Sequence, residues 1–185
     1  MSLLELKDVT VSFPFPHGRP PLLALDGLTL SVEQGELVAL VGPSGCGKTT
    51  ALNVLAGQVR PTSGQVRLAG EPVEGMLPSV GYISQADTLL PWRTVEDNVA
   101  LAMELRGIPK AQRRETARAL MAKPALILAD EPTGNLDSRT SADVLALLQG
   151  TIRAFSQTLV MITHNPEIAQ LAHRIVRIED GRIVE

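Results

Sequence analysis

The chain has 185 residues, 44% of them hydrophobic, and a net charge of −3, which suits a single globular domain and offers no basic excess for binding a phosphate backbone, so nucleic acid is set aside as a partner. The one cysteine, Cys46, excludes an internal disulfide framework and agrees with a reducing compartment. No run reaches the roughly 18 apolar residues of a membrane span, and the opening MSLLELKD carries Glu5 and Asp8 where a signal peptide would be basic and then apolar, so a cytoplasmic location is expected.

In chain order, LLELKDVTVSF and LLALDGLTLSV alternate apolar with polar residues, as half-buried antiparallel strands do, and PFPHGRPP joins them as a loop. ELVALV reads as a fully buried strand, Gly42 to Gly47 as a loop, and KTTALNVLA as a helix with Gly57 at its C-terminal cap. RPTSGQVRLAGEPV is turn chemistry around a short strand, and SVGYISQ is a strand ending at Gln85. A helix begins at the Thr94-x-x-Asp97 box and stops near Gly107 and Pro109, and a second covers roughly 110 to 122. The apolar run Ala125 to Ala129 then ends at Asp130 and Glu131. RTSADVLALLQGTIRAF reads as a helix, TLVMIT as a strand, PEIAQLA as a short helix, and RIVRIEDGRIVE as a hairpin turned at Asp180-Gly181. Strands alternating with helices imply an α/β fold with a mostly parallel core and an antiparallel β flank. No internal repeat or low-complexity tract is seen.

GPSGCGKT, residues 42 to 49, fits G-x-x-x-x-G-K-[ST], the phosphate-cradling P-loop, and it follows a buried strand and opens a helix as that motif requires. The backbone of Gly42, Pro43, Ser44, Gly45, Cys46 and Gly47 can wrap a polyphosphate with its N–H groups inward, and the helix start at Lys48, Thr49 and Thr50 adds positive potential. Lys48 should reach the β and γ phosphates, and the Thr49 hydroxyl should ligate Mg²⁺. Two adjacent acids at the end of a buried strand are costly unless employed. Beside a P-loop, Asp130 can hold magnesium through water, and Glu131 can polarise the attacking water as a general base.

GPSGCGKTT, Gln85 closing VGYISQ, LILADEP, GNLD at 134 to 137 and His164 in MITHNP occur in an order that resembles the ATP-binding-cassette (ABC) ATPases that drive membrane transporters. The resemblance runs from Leu3 to Glu185 with one gap. It implies a P-loop NTPase fold, ATP and Mg²⁺ as cofactors, a transmembrane permease and a second cassette as partners, and a place on the inner face of the cell membrane. It gives Gln85 contact with magnesium and the attacking water, His164 contact with the γ-phosphate, and Asn135 to Asp137 communication across a dimer. Phe15 resembles the aromatic that stacks on adenine, with Phe13 as the runner-up and simple core packing as the alternative. Leu89, Leu90, Pro91 and Trp92 form either a knuckle for a transporter coupling helix or ordinary core. His17 and His173 match no family position and are expected at the surface.

One family motif has no counterpart. A Ser-Gly-Gly-Gln run should open a helix between the glutamine loop and the acidic strand, and the chain contains none. QRRETARAL resembles both the helix before that motif and the helix after it, as though two similar stretches had been joined and the helical subdomain, about 94 to 122, shortened. The expected function is an ATP-hydrolysing transporter subunit with impaired turnover; the alternative is a nucleotide-binding subunit that does not hydrolyse. A small-molecule kinase is disfavoured, because QRR is the only dense basic patch where a lid could sit. QADTLLPWRTVEDNVALAMELRGIPK resembles nitrate, sulfonate or taurine importers, whereas DEPTGNLDSRT resembles the lipoprotein-release and macrolide-export group. The front half inclines the reading towards an importer.

Overall fold

Two apolar patterns build two sheets. In the computed structural model, which describes residues 2–15, 20–77, 79–84, 124–132, 150 and 157–184, the alternating segments form long strands β1 (Ser2–Phe13) and β2 (Leu22–Glu33), paired antiparallel. Burial along β1 changes phase, with Leu4 and Leu6 buried on one parity and Val9 and Val11 on the other. A register shift between Leu6 and Val9, with Asp8 at φ 50, absorbs the extra residue and keeps all four side chains inward. Strand β2 uses Gly27, φ 64, in the same way between Leu25 and Leu28. β4 (Ser63–Leu68) and β5 (Glu71–Pro72) complete this sheet in the order β2-β1-β4-β5.

The continuous apolar runs form the second sheet, ordered β10-β9-β3-β8-β7-β6. Its core strands β3 (Leu37–Val41), β6 (Val80–Ile83), β7 (Leu126–Asp130), β8 (Thr158–Ile162) and β9 (Arg174–Glu179) pair in parallel, and β10 (Arg182–Ile183) returns antiparallel on β9. The expected parallel core with an antiparallel flank is therefore present.

The pleat divides each buried strand between two clusters. Val38, Leu40, Leu126, Leu128, Val160, Ile162, Val176 and Ile178 face α1 (Lys48–Leu55) and the first sheet. Leu37, Ala39, Ile127, Ala129, Leu159 and Met161 face the other way, towards Ile168 and Ala169 of the short helix α2 (Pro166–Ala169). Burying both faces explains why these strands show no polar alternation. Each fully buried leucine or valine contributes about 1.5–3 kcal/mol.

β3, β8 and β7 are neighbours running in one direction, so the loops leaving their C-terminal ends converge, which is where parallel sheets bind ligands. The segment holding Gln85, Leu89 to Trp92 and the shortened helical region, Asn135 to Asp137, and nearly all of RTSADVLALLQGTIRAF lie outside the described residues. Among the described residues no helix is long and apolar enough to cross a membrane.

Candidate functional site

The P-loop leaves β3 at Val41 and enters α1 at Lys48. Gly42 cannot carry a side chain, since a Cβ there would sit 2.1 Å from the Ile178 carbonyl oxygen. Gly47 caps α1 in the left-handed region, φ 106, with no side chain covering the first-turn N–H groups and no acid in that turn. Those donors and the dipole are what an anion would meet there. Pro43, Ser44, Gly45 and Thr49 are exposed, whereas Cys46 is buried under the loop.

Lys48 is only 6% exposed, and its Nζ donates to the carbonyls of Gly42 at 2.9 Å and Pro43 at 2.8 Å. The ammonium is thus held against the loop it is expected to serve. From the end of β7, two strands along, Asp130, 6% exposed, has the Thr49 side chain for a polar neighbour. Burial holds its carboxyl above the usual carboxylate range, and the charge of Glu131 adds to this; Thr49, Lys48 and His164 act in the opposite direction.

Glu131 leaves β7 with φ 49, a left-handed backbone rarely adopted by a residue with a side chain. Its N–H still donates to the Ile162 carbonyl at 3.1 Å, so the turn begins under the sheet's control. Its Oε1 lies 2.5 Å from Nε2 of His164. The segment carrying His164 is fixed by two local bonds, Asn165 N–H to Thr163 Oγ1 at 3.1 Å and Glu167 N–H to Asn165 Oδ1 at 2.8 Å, the second capping α2.

Of the residues expected from sequence, the fold brings together Gly42 to Thr50, Asp130, Glu131 and His164. Gln85 lies outside the described residues. Phe15 is 48% exposed and Phe13 39% exposed, so neither belongs to the core. His173 has an exposed ring, and its Nδ1 also accepts the Leu37 N–H at 2.9 Å, tying the start of β3.

Sequence reasoning missed Tyr82. Its hydroxyl donates to Asn53 Oδ1 at 3.0 Å and so joins β6 to α1. Burial, and then the charge of Asp130, push its phenol above the ordinary range. A lone tyrosine in an apolar run gave no signal of this partner.

The donor set suits a polyphosphate with a hard divalent cation: backbone N–H groups, one ammonium, and two oxygen donors, Thr49 and Asp130, at neighbouring positions. Glu131 with His164 offers a carboxylate braced by an imidazole, an arrangement that can hold and accept a proton.

Comparison with known proteins agrees with this chemistry. The sequence model of the family described as "ABC transporter" matches residues 25–115. The lipoprotein-releasing system ATP-binding protein LolD of Geobacter metallireducens is 36% identical, covering 99% of this chain and 98% of that protein. That alignment runs over 223 positions against a chain of 185 residues, so at least 38 of them have no counterpart here. The macrolide export ATP-binding/permease protein MacB of Syntrophobacter fumaroxidans is 35% identical over 99% of this chain, which corresponds to 31% of that longer protein. The dimeric post-hydrolysis structure of the ATP-binding cassette MJ0796, bound to ADP and phosphate, superposes with a TM-score of 0.82 at 26% identity, covering 98% of this chain and 97% of that one.

Proposed function

Because this chain belongs to the ABC transporter family, we propose that it binds and hydrolyses Mg-ATP to drive a membrane permease, with Gly42 to Thr50, Gln85, Asp130, Glu131 and His164 as its working residues. The observation that carries this reading is the convergence of three strand ends, which bring Lys48, the Thr49–Asp130 pair and the Glu131–His164 pair to one place.

The P-loop N–H groups and Lys48 bind and orient the triphosphate. Thr49, Gln85 and, through water, Asp130 would hold magnesium, which when bound would supply neutralising charge to the phosphates. Glu131 accepts a proton from the water that attacks the γ-phosphorus, and His164 fixes the carboxylate and faces the γ-phosphate. The bond between that phosphorus and the bridging oxygen breaks, leaving ADP and phosphate. Phe15, exposed near the end of β1, stacks on the adenine. The chain works on the inner face of the cell membrane, paired with a second cassette and a permease.

Hydrolysis by two copies of this chain is impaired. No Ser-Gly-Gly-Gln run exists in the sequence, and the family match stops at residue 115, inside RRETARAL at 113 to 120. The positions of LolD without a counterpart support a deletion of several dozen residues; that they fall at RRETARAL and shorten the helical subdomain is our reading of the sequence. In the family that motif donates to the γ-phosphate held by the opposite cassette. Preorganised donors of this kind supply several kcal/mol to the transition state, so homodimer turnover falls at least about a hundredfold.

An intact cassette would complete this chain's site, while its own would stay incomplete. The test mixes the chain with an intact partner whose own Walker glutamate is inactivated. Regained ATPase activity that disappears with Glu131→Gln in this chain supports the proposal; ordinary cassette turnover by the chain alone overturns the impairment. LolD and MacB match nearly the whole chain, and DEPTGNLDSRT points the same way, so we place its transporter nearer to lipoprotein release and macrolide export than to the importers suggested by the front half.

A further inference from the structure

The C-terminal hairpin grips the phosphate loop at both ends. At the start, the Ile178 carbonyl of β9 fills the space a Gly42 side chain would need. At the finish, the N–H of Gly181 donates to the Cys46 carbonyl at 2.9 Å. The turn is tied in turn to β2. Asp26 N–H donates to the Gly181 carbonyl at 3.0 Å, and Arg182 places Nε at 2.9 Å and Nη2 at 2.5 Å from Asp26 Oδ2.

A trans peptide points its C=O and N–H in opposite directions, and no peptide bond described is cis. With the Cys46 carbonyl fixed towards the hairpin, the N–H of Gly47 must face away from it, to the open side of the loop. That N–H is one of the donors a polyphosphate would meet. Asp180 and Gly181, with φ 46 and 77, form the tight left-handed turn that presents the Gly181 N–H. A Cβ on Gly181 would lie 2.8 Å from the Ala24 carbonyl oxygen and 3.0 Å from the Leu25 Cα, so a side chain would displace the turn.

We infer that Gly181 is a positioning residue for nucleotide binding: its N–H aims the Gly47 N–H at the phosphate chain, and the Asp26–Arg182 pair sets the distance at which it does so. This rests on the polyphosphate reading of the loop. The ion pair is 66% exposed at Arg182 and 32% at Asp26, and an exposed pair contributes little to global stability. An effect on affinity is therefore separable from an effect on folding.

The experiment measures, on the full chain, dissociation constants for Mg-ATP and for inorganic tripolyphosphate together with ligand-free Tm. Gly181→Ala should weaken both ligands by a similar factor, about tenfold, as expected for one misdirected donor to a charged group. Arg182→Ala should weaken both by about threefold with Tm unchanged, and the swap Asp26→Arg with Arg182→Asp should restore the loss. Unchanged affinity in Gly181→Ala overturns the inference, as does a loss for ATP without a loss for tripolyphosphate, which would place the effect at the nucleoside. If Gly181→Ala does not fold, Arg182→Ala decides: lowered Tm at wild-type affinity overturns the inference. Failure of the wild-type chain to bind either ligand, or undiminished binding by Lys48→Ala, would instead bring down the reading of the site itself.

Discussion

The Nε2 of His164 and the Oε1 of Glu131 lie 2.5 Å apart, linking the residue after β8 to the residue after β7. The pair joins two loops that are distant in sequence and adjacent only because β7 and β8 are neighbours. If the carboxylate is the base and the imidazole its brace, the two act as one unit. Glu131→Gln should keep Mg-ATP binding and reduce turnover by roughly 10²–10⁴, measured with an intact cassette supplying the absent donors. His164→Ala should lower turnover on its own, and the double variant should be little worse than Glu131→Gln. Additive losses would show two independent roles.

Lys48 tests the loop. Among the described residues its ammonium donates to two backbone carbonyls and lies 3.8 Å from the Cys46 sulfur. Lys48→Ala should raise the dissociation constant for Mg-ATP by about 10- to 100-fold, as a lost charged donor does. Titration calorimetry reads this directly; an affinity within twofold of wild type would remove Lys48 from the phosphate site.

Asp130 carries a pH signature. Its carboxyl is raised above the ordinary value, so the folded chain holds this proton more tightly than the unfolded chain does. Its contribution to stability is fully present below the ordinary carboxylate range and is lost as pH rises through the raised value. Without magnesium, Asp130→Asn should therefore raise Tm at neutral pH and make Tm less dependent on pH across that acidic window. With magnesium and ATP the order should reverse if Asp130 holds the ion as proposed, because only the wild type keeps that carboxylate. Thermal scans over pH, with and without Mg-ATP, check both halves.

Tyr82 is a structural tie. Tyr82→Phe removes the bond to Asn53 Oδ1 and leaves that oxygen poorly satisfied. A loss of about 1 kcal/mol is expected, or roughly 2–4 °C in Tm for a chain of this size. Affinity for Mg-ATP should stay within twofold. A large loss of affinity at unchanged Tm would move Tyr82 into the binding machinery.

Much of this arrangement was legible in the sequence, and the boundary of legibility has a physical cause. Continuous apolar runs marked β3, β7 and β8, because strands covered on both faces need no polar alternation. Asp180-Gly181 marked its hairpin, because few residues tolerate a left-handed turn. The P-loop was visible because its spacing is imposed by wrapping phosphate with backbone. What escaped was set by contacts between remote segments. The change of phase at Asp8 depends on pairing with β2, β5 is two residues paired with β4, and the His173 ring serves Leu37 across most of the chain. Gly181 could be read as a turn, but not as the partner of Cys46, since backbone hydrogen bonds between loops leave no residue-type pattern.

The left-handed backbone at Glu131 sets thermostability against turnover at a single position. A residue with a Cβ costs on the order of 1 kcal/mol there, and glycine costs almost nothing. Glu131→Gly would relax the chain while deleting the base proposed for it. A library sorted for heat resistance alone would therefore tend to collect chains that capture nucleotide and never release its energy. On the proposed function, the same substitution would give a nucleotide-trapped form suited to isolating the chain together with a permease.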